Sequence, residues 1–465
     1  MNLPNIVIPI SIQFSLRYVL RSGLIKKISS FSNPIILLGW HDPNLINELN
    51  ELGIKVFLMP NVIMDPKYER IRKKIHEMHF IRINSSSTSI DRRRKQLFHS
   101  KIIRFKQAIK YRLVKMEYLI PNKYTKLCEL ENKIIDDETN IHEFKKIINQ
   151  TNPDYILSIT PYFINEEFLL RAASTSKAKL ITSILSFDNL TTRPRIPVIF
   201  DHYLLWNKYN KEELIRIYPV AKHKGIFIVG TPQFDFYYDN SYLWPENYWR
   251  EKLGIPEGRR VILFAAGPKE IAPIEPHWLQ QVDEAITNKE IFGNPIILLR
   301  RHPVDSEERW NASRNKLKNV IFDDPWPMGK DIISHVNITH YDLEKLASTL
   351  YYSDVHLNAS STMTIDGAIF DKPQIGPGYD DSLGKSFDRE MRELYQREHY
   401  LPITQSGGLQ IAYSRQELIN MINQAFSEPE RYSKERKKMV FDLCTYNDGK
   451  STDRVVETIK KIITN

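Results

Sequence analysis

The amino-acid sequence predicts an α/β protein of two open, parallel-sheet domains in series, facing each other across a cleft. Three observations predict it. Short apolar runs alternate with helix-period segments along the whole chain, the pattern of a sheet with helical crossovers. Several runs, such as Asp154-Tyr155-Ile156-Leu157-Ser158-Ile159 and Lys179-Leu180-Ile181-Thr182-Ser183-Ile184, are almost unbroken apolar or β-branched, as in strands covered on both faces. The length, 465 residues, exceeds one comfortable core, because domains usually run to roughly 100–200 residues.

Taken in order, the first strand is expected at 6–10, then a helix over about 14–30 carrying Leu16, Val19, Leu20 and Ile25. Strands follow at 34–38 and 55–58, separated by a helix over 43–52 that Gly53 stops. Long helices occupy the basic stretch after residue 65, and strands resume at 154–159, 179–184, 202–206 and 225–229. Pro232, Trp244 and Pro245 then break the alternation, which puts the domain change within 230–259. The boundary is drawn as 1–235, with a basic helical insertion at about 65–126, and 236–465, whose last helix is free to pack back on the first domain. In the second half the strands are 260–265, 295–300, 319–322, 355–358 and, last, 373–375. Its helices are 275–286, 342–351, 363–370, 415–426 and 451–463. Both domains are thus Rossmann-like, and such sheets bind ligands at the carboxyl ends of their strands.

Composition narrows the function classes. The chain is 42% hydrophobic and 26% charged, an ordinary globular balance. Cys128 and Cys444 lie far apart, which supports neither a disulfide framework nor a zinc site. No apolar run approaches the 18 or so residues of a membrane span, and Met1–Ile12 lacks the order of a secretory leader. A cytoplasmic protein is expected. The net charge of +9 is concentrated between Asp65 and Lys126, with 18 Lys and Arg against 5 Asp and Glu. Such a patch suits anionic lipid, an anionic substrate or nucleic acid, and a solvated helix face accounts for it equally well. Few aromatic residues interleave it and no recognition module accompanies it, which argues against nucleic acid.

The stretch from Ser353 to Pro373 carries the most chemistry. A buried strand runs into Ala359-Ser360-Ser361-Thr362, and a helix begins at about Thr362 with Asp366 one turn along. Helix-start N–H groups and the positive end of the dipole suit phosphate there, although a Thr–Asp capping box would explain the same residues without a ligand. Leu299-Arg300-Arg301-His302-Pro303 ends another strand with cations and an imidazole, groups that bind or protonate phosphate oxygens. Phe264-Ala265-Ala266-Gly267-Pro268 ends a third with a glycine, where backbone can pass close to a ligand.

These three segments resemble the donor-site signature of GT-B glycosyltransferases and of the related CDP-glycerol glycerophosphotransferases. The resemblance implies that Ser360, Ser361 and Thr362 hold donor phosphates, that Asp366, where many relatives have Glu, binds ribose, and that Arg300, Arg301 and His302 meet the diphosphate beside Gly267. Ser186-Phe187-Asp188-Asn189-Leu190-Thr191, residues 201–207 and Gly230-Thr231-Pro232-Gln233-Phe234-Asp235 resemble bacterial surface-polysaccharide enzymes of the same kind.

No Asp-x-Asp occurs to hold a diphosphate-bridging cation, since Asp323-Asp324 and Asp380-Asp381 lack the spacing. No metal or other cofactor is therefore expected. His302 is the candidate leaving-group acid. His41, Asp42 and Asp188, which follow strands of the first half, are candidate bases for an acceptor hydroxyl. The function expected is metal-independent transfer of a sugar from a nucleotide-sugar to a surface glycan or lipid-linked acceptor, with the basic segment docking on the inner membrane face. Transfer of a polyol phosphate from a CDP-glycerol type donor is the alternative within enzymes, and a nucleic-acid-binding protein the alternative outside them. An epimerase of the same fold needs paired carboxylates and a histidine motif that the sequence does not supply.

Overall fold

The computed structural model describes residues 3–97, 99–303, 305, 308–314, 316–323, 337–382 and 384–464. The chain divides into two compact units. The first takes in the chain up to Thr88, His99–Gln233 and the chain from Lys450; the second takes in Ser89 to the end of the helix Ser86–Leu97 and Phe234–Gly449.

In the first unit seven strands form one sheet: β1 (Asn5–Ile10), β2 (Asn33–Leu38), β3 (Lys55–Leu58), β4 (Tyr155–Ser158), β5 (Lys179–Ser183), β6 (His202–Leu205) and β7 (Gly225–Ile228). Their order is β3-β2-β1-β4-β5-β6-β7, every pair parallel. The two-residue period of a strand turns Ile6, Ile8 and Ile10 to one face and Val7 to the other. On the first face they meet Leu16, Val19 and Leu24, together with Val455, Ile459 and Ile462 of the closing helix Ser451–Thr464. That helix presents its apolar residues at helical spacing, and burying each is worth roughly 1.5–3 kcal/mol. On the opposite face Val7 meets Phe144, Ile148 and Phe168.

The second unit has a six-stranded parallel sheet: β8 (Val261–Ala265), β9 (Ile296–Arg300), β10 (Val320–Asp323), β11 (Val355–Asn358), β12 (Gln374–Pro377) and β13 (Leu409–Ala412). The order is β10-β9-β8-β11-β12-β13. Chain direction across each sheet reverses beside its first strand, between β1 and β4 and between β8 and β11, which are the topological switch points where such sheets take ligands.

Several elements differ from the sequence reading. The helix expected over 14–30 is broken: a π turn at Arg17–Arg21 leads to Gly23, whose φ of 75° ends it, and Leu24–Ile28 restarts. Residues 373–375 are not the last strand, because β13 pairs with β12, Gln374 opposite Leu409. Two further helices, Lys385–Glu393 and Ser433–Cys444, lie in the closing region. Four residues between Gly407-Gly408 and Tyr413-Ser414 are too few to show a period, so β13 is defined by the edge it pairs with.

Candidate functional site

The three phosphate-type motifs leave one edge of the second sheet from adjacent strands. Asn358 of β11 lies opposite Ala265 of β8, and Ala265 opposite Arg300 of β9. The loops that follow therefore start level and side by side at the switch point, although nearly sixty residues separate the second from the third.

Each loop is held by buried polar groups. After β8, the Gly267 N–H donates to Glu275 Oε1 at 2.9 Å and Oε2 at 3.1 Å. Arg309 donates to the Gly267 carbonyl at 2.9 Å, to Glu275 Oε2 at 2.9 Å and to Asp305 Oδ2 at 2.8 Å, and Trp310 Nε1 donates to the same Asp305 oxygen. One guanidinium thus ties the loop after β8 to the loop after β9. Burial pushes the Glu275 carboxyl up to about 8, with Arg309 opposing. At Gly267, where the sequence suggested close passage of backbone by a ligand, the N–H is taken by Glu275.

Along 300–302 the side chains divide. Arg300 is buried and donates to Asp323 Oδ2 at 2.8 Å, with Lys345 on the other oxygen. Arg300 is thus engaged with Asp323 inside the second unit. Arg301 is buried. Burial lowers the His302 imidazole to about 4, against the pull of Asp305, so it is neutral at pH 7 and one ring nitrogen carries a donor proton.

The turn after β11 is organised by Asn358. Its Oδ1 accepts from Ser361 N–H at 3.3 Å and Thr364 Oγ1 at 2.7 Å. Ser360 adopts a left-handed backbone, φ 51°, and Arg397 fixes it by donating to its carbonyl at 3.0 Å and its Oγ at 2.8 Å. Thr362 precedes the helix Met363–Ile369, is exposed, and makes no side-chain cap. The capping box that its spacing from Asp366 allows is absent; instead the hydroxyl of half-buried Ser361 accepts from the Met363 N–H at 3.2 Å, and Ser361 and Thr362 both lie on the turn that the sequence analysis offered for phosphate. Asp366 is 2% exposed and accepts from the Tyr237 hydroxyl through Oδ1.

The first unit does not assemble its candidates into one constellation. His41 is exposed beyond β2, and Asp188 follows β5, accepting from Asn189 Nδ2 at 3.2 Å and Thr192 Oγ1 at 3.1 Å. Strands β1 and β4 stand between, a separation of three interstrand spacings, about 14 Å. Asp42 caps the helix Pro43–Glu51, accepting from Asn44 and Leu45 N–H. At the switch point itself are residues that the sequence reading passed over: Glu166, buried, accepting from Ser158, Thr160 Oγ1 and Thr160 N–H, and Gln13, 1% exposed, whose amide has no partner among the described residues.

The basic run is also redistributed. Arg94 is buried and donates to the Glu270 carbonyl at 3.1 Å; Arg93 pairs with Glu390 and Glu393, and Arg397 approaches Asp91 at 3.6 Å. Burial and the neighbouring Arg397 lower the Arg94 guanidinium to about 10. Arg94 therefore belongs to the second unit's interior, while Arg93, still 38% exposed, is tied to the second unit by its two carboxylates. Asp324, named in the metal argument, lies outside the described residues. Among the described residues no group of three or more His, Cys, Asp and Glu could hold a metal ion, and no helix is long and apolar enough to cross a membrane.

Known proteins share this architecture. Over 99% of this chain and all of theirs, UDP-GlcNAc 2-epimerase from Neisseria meningitidis bound to UDP-GlcNAc superposes with a TM-score of 0.55 at 12% identity. A glycosyltransferase from Rickettsia africae superposes over 100% of both chains with a TM-score of 0.53 at 13% identity. The S. aureus MnaA–UDP structure gives 0.56 at 13% identity over 99% of this chain and 97% of that one. At such identities the likeness establishes the fold, that of GT-B enzymes. No curated protein matches in sequence. The model of CDP-glycerol:poly(glycerophosphate) glycerophosphotransferases matches residues 192–461, a span that contains all three loops and more than half of the chain, and this protein belongs to that family of GT-B transferases.

Proposed function

We propose that the enzyme binds a nucleotide-sugar through its diphosphate at the second switch point and transfers the sugar to a surface glycan or lipid-linked acceptor, without a metal, on the cytoplasmic face of the membrane. The observation that carries this reading is the level start of the three loops after β8, β9 and β11. They bring His302, Arg301 and the hydroxyls of Ser361 and Thr362 to one sheet edge. In glycosyl transfer the acceptor oxygen bonds to the anomeric carbon as its bond to the diphosphate breaks. Negative charge then develops on the leaving diphosphate, and pre-set donors there stabilise it more in the transition state than in the ground state. Neutral His302 supplies an N–H, Arg301 a positive charge. His41 and Asp188 are the candidate bases for the acceptor hydroxyl.

The family match favours a second reading, transfer of a polyol phosphate from a CDP-linked donor. There the acceptor oxygen attacks phosphorus and a nucleoside monophosphate departs. The products separate the two: a nucleotide-sugar donor releases nucleoside diphosphate, a CDP-polyol donor releases CMP. Incubation of the full chain with each donor class, with and without EDTA, and chromatography of the nucleotides should give the diphosphate product in both conditions. CMP release selects the second reading, and loss of turnover in EDTA restored by Mg²⁺ refutes metal independence. His302→Ala should lower turnover by about 100-fold with the urea midpoint nearly unchanged; full activity in that variant would remove His302 from the site.

A further inference from the structure

At the amino ends of β12 and β13, opposite the edge that carries the three loops, the second unit has a pocket of about 350 Å³ including its open mouth. It lies between the starts of both strands, the last turns of the helix Arg415–Ser427 and the first turn of the helix Ser433–Cys444. Its enclosed floor has room for one water-sized group.

Gln374 of the lining is 1% exposed, and its Oε1 has no partner among the described residues. The amide cannot turn over to cure this. Its Nε2 donates at 3.0 Å to the Lys372 carbonyl, which can only accept, and stands 3.1 Å from His356 Nδ1. Oε1 is therefore a buried acceptor that calls for a donor, and leaving it without one costs roughly 1–3 kcal/mol.

The rest of the lining selects the donor. Both of its cations are paired: Arg436, 1% exposed, donates to Asp371 Oδ1 and to the Pro429 carbonyl, each at 2.8 Å, and Arg431 meets Glu428 at 3.0 Å. A phosphate or carboxylate would have to displace a carboxylate, and an ammonium would have to displace an arginine. What remains is neutral. Gln374, Gln410 and Gln424 bring three carboxamides, a group that both gives and takes hydrogen bonds, beside the apolar Met421 and Ala425. Amides against aliphatic carbon match a unit that carries hydroxyls on a carbon skeleton. A flat heterocycle fits less well, because the floor admits one group rather than a ring edge and the Arg431 guanidinium already lies over the Tyr432 ring, 5.6 Å from its centroid.

We infer that this pocket is a binding site for an uncharged polyhydroxy unit, a sugar or polyol residue, one hydroxyl of which donates to Gln374 Oε1. On an enzyme that extends a glycan it holds such a residue away from the reacting bond. The site requires neither nucleotide nor turnover, so it does not depend on which donor the enzyme uses.

Saturation-transfer NMR on the full chain tests it, with N-acetylglucosamine as the ring sugar, glycerol as the open polyol, and glycerol 3-phosphate and uridine for comparison. At least one neutral hydroxyl probe should bind, with glycerol 3-phosphate weaker than glycerol and uridine weaker than either. Gln374→Met removes the acceptor and should weaken the bound probe about tenfold; Gln424→Ala, at a half-buried position of the wall, should weaken it about threefold. The first variant also strips the Lys372 carbonyl of its donor, so if circular dichroism shows it unfolded, Gln424→Ala carries the test. Failure of both neutral probes to bind leaves the pocket to water and overturns the inference. Binding that neither variant weakens overturns it too, as does tighter binding of glycerol 3-phosphate or uridine that these variants abolish. Nucleotide release by Gln424→Ala should equal that of wild type. A chain that binds the probes here but releases no nucleotide would overturn the proposed reaction and leave the pocket standing; nucleotide release without probe binding would do the reverse.

Discussion

Arg397 is remote from every motif in the sequence, yet it sets the shape of the most important one. Its guanidinium, 6% exposed, holds both the carbonyl and the hydroxyl of Ser360, a residue whose left-handed backbone a side chain rarely adopts without support. Arg397→Met should therefore cost about 2 kcal/mol, the scale of lost hydrogen bonds to a charged donor, seen as a lower urea midpoint. As a positioning residue it should also raise the KM for donor more than it lowers kcat, and Arg397→Lys, which keeps the charge but not the fork, should restore only part of it. Unchanged donor KM in the Met variant would show that the turn at Ser360 does not shape the donor site. Ser361, Thr362, Arg301 and His302 could be proposed as candidates from the sequence because each lies in a contiguous motif. Arg397, Arg94 and Arg309 were not: their roles depend on partners 37 to 176 residues away, and a residue type alone does not say which carbonyl it will find.

At the scale of elements, the seven-residue helix Met363–Ile369 is too short to be stable by itself and is held by contact with the sheet. Gly367 makes that contact possible. A Cβ there would overlap His356 Nδ1 and Gln374 Nε2, both buried on the neighbouring strands β11 and β12. Neither side chain has room to retreat, so Gly367→Ala should destabilise the second unit by about 1–3 kcal/mol and displace the turn that carries Ser361 and Thr362. Thermal unfolding and donor affinity measured on the same variant check both consequences; a variant as stable as wild type would mean the helix can lift without loss. The helix itself was legible from its strand–turn–helix pattern, as were the three strand ends before the phosphate-type loops. The break at Gly23 and the edge strand β13 were hidden, the first inside an apolar periodicity that runs through it and the second in four residues.

At the scale of the whole molecule, burial lowers His202 and, further still, four other histidines among the described residues. His76, His79 and His356 are lowered to about 3 and His302 to about 4, with desolvation the leading cause in each. Below the ordinary value near 6.5 the unfolded chain binds protons that the folded chain refuses, so stability is fully present above that pH and declines as pH falls towards 4. Each such histidine contributes about 1.4 kcal/mol per pH unit within the window. Glu275, raised to about 8 by burial, has the opposite sign between 4.5 and 8, and offsets about one of the four. The net expectation is a falling urea midpoint from pH 7 to pH 5, felt in both units because each holds two of those four histidines. A midpoint constant over that range would mean that these imidazoles reach solvent.

The sequence by itself determined the alternation of strand and helix, the parallel character of both sheets and the three strand ends, because each is written in local periodicity and in residues a few positions apart. It also located the excess of positive charge. Tertiary structure decided what those residues do. It gave Arg300 to Asp323, Asp366 to Tyr237 and the Gly267 N–H to Glu275, and it left Ser361 and Thr362 at the mouth of the switch point. It tied Arg93 and Arg94 to the second unit while leaving Ile102, Phe105 and Leu113 of the helix Lys101–Tyr118 exposed. The physical reason is common to all of these. A cation, a carboxylate or an apolar face has the same local pattern whether it meets protein, ligand or lipid, and which it meets is settled only when segments distant in sequence compete for the same buried space.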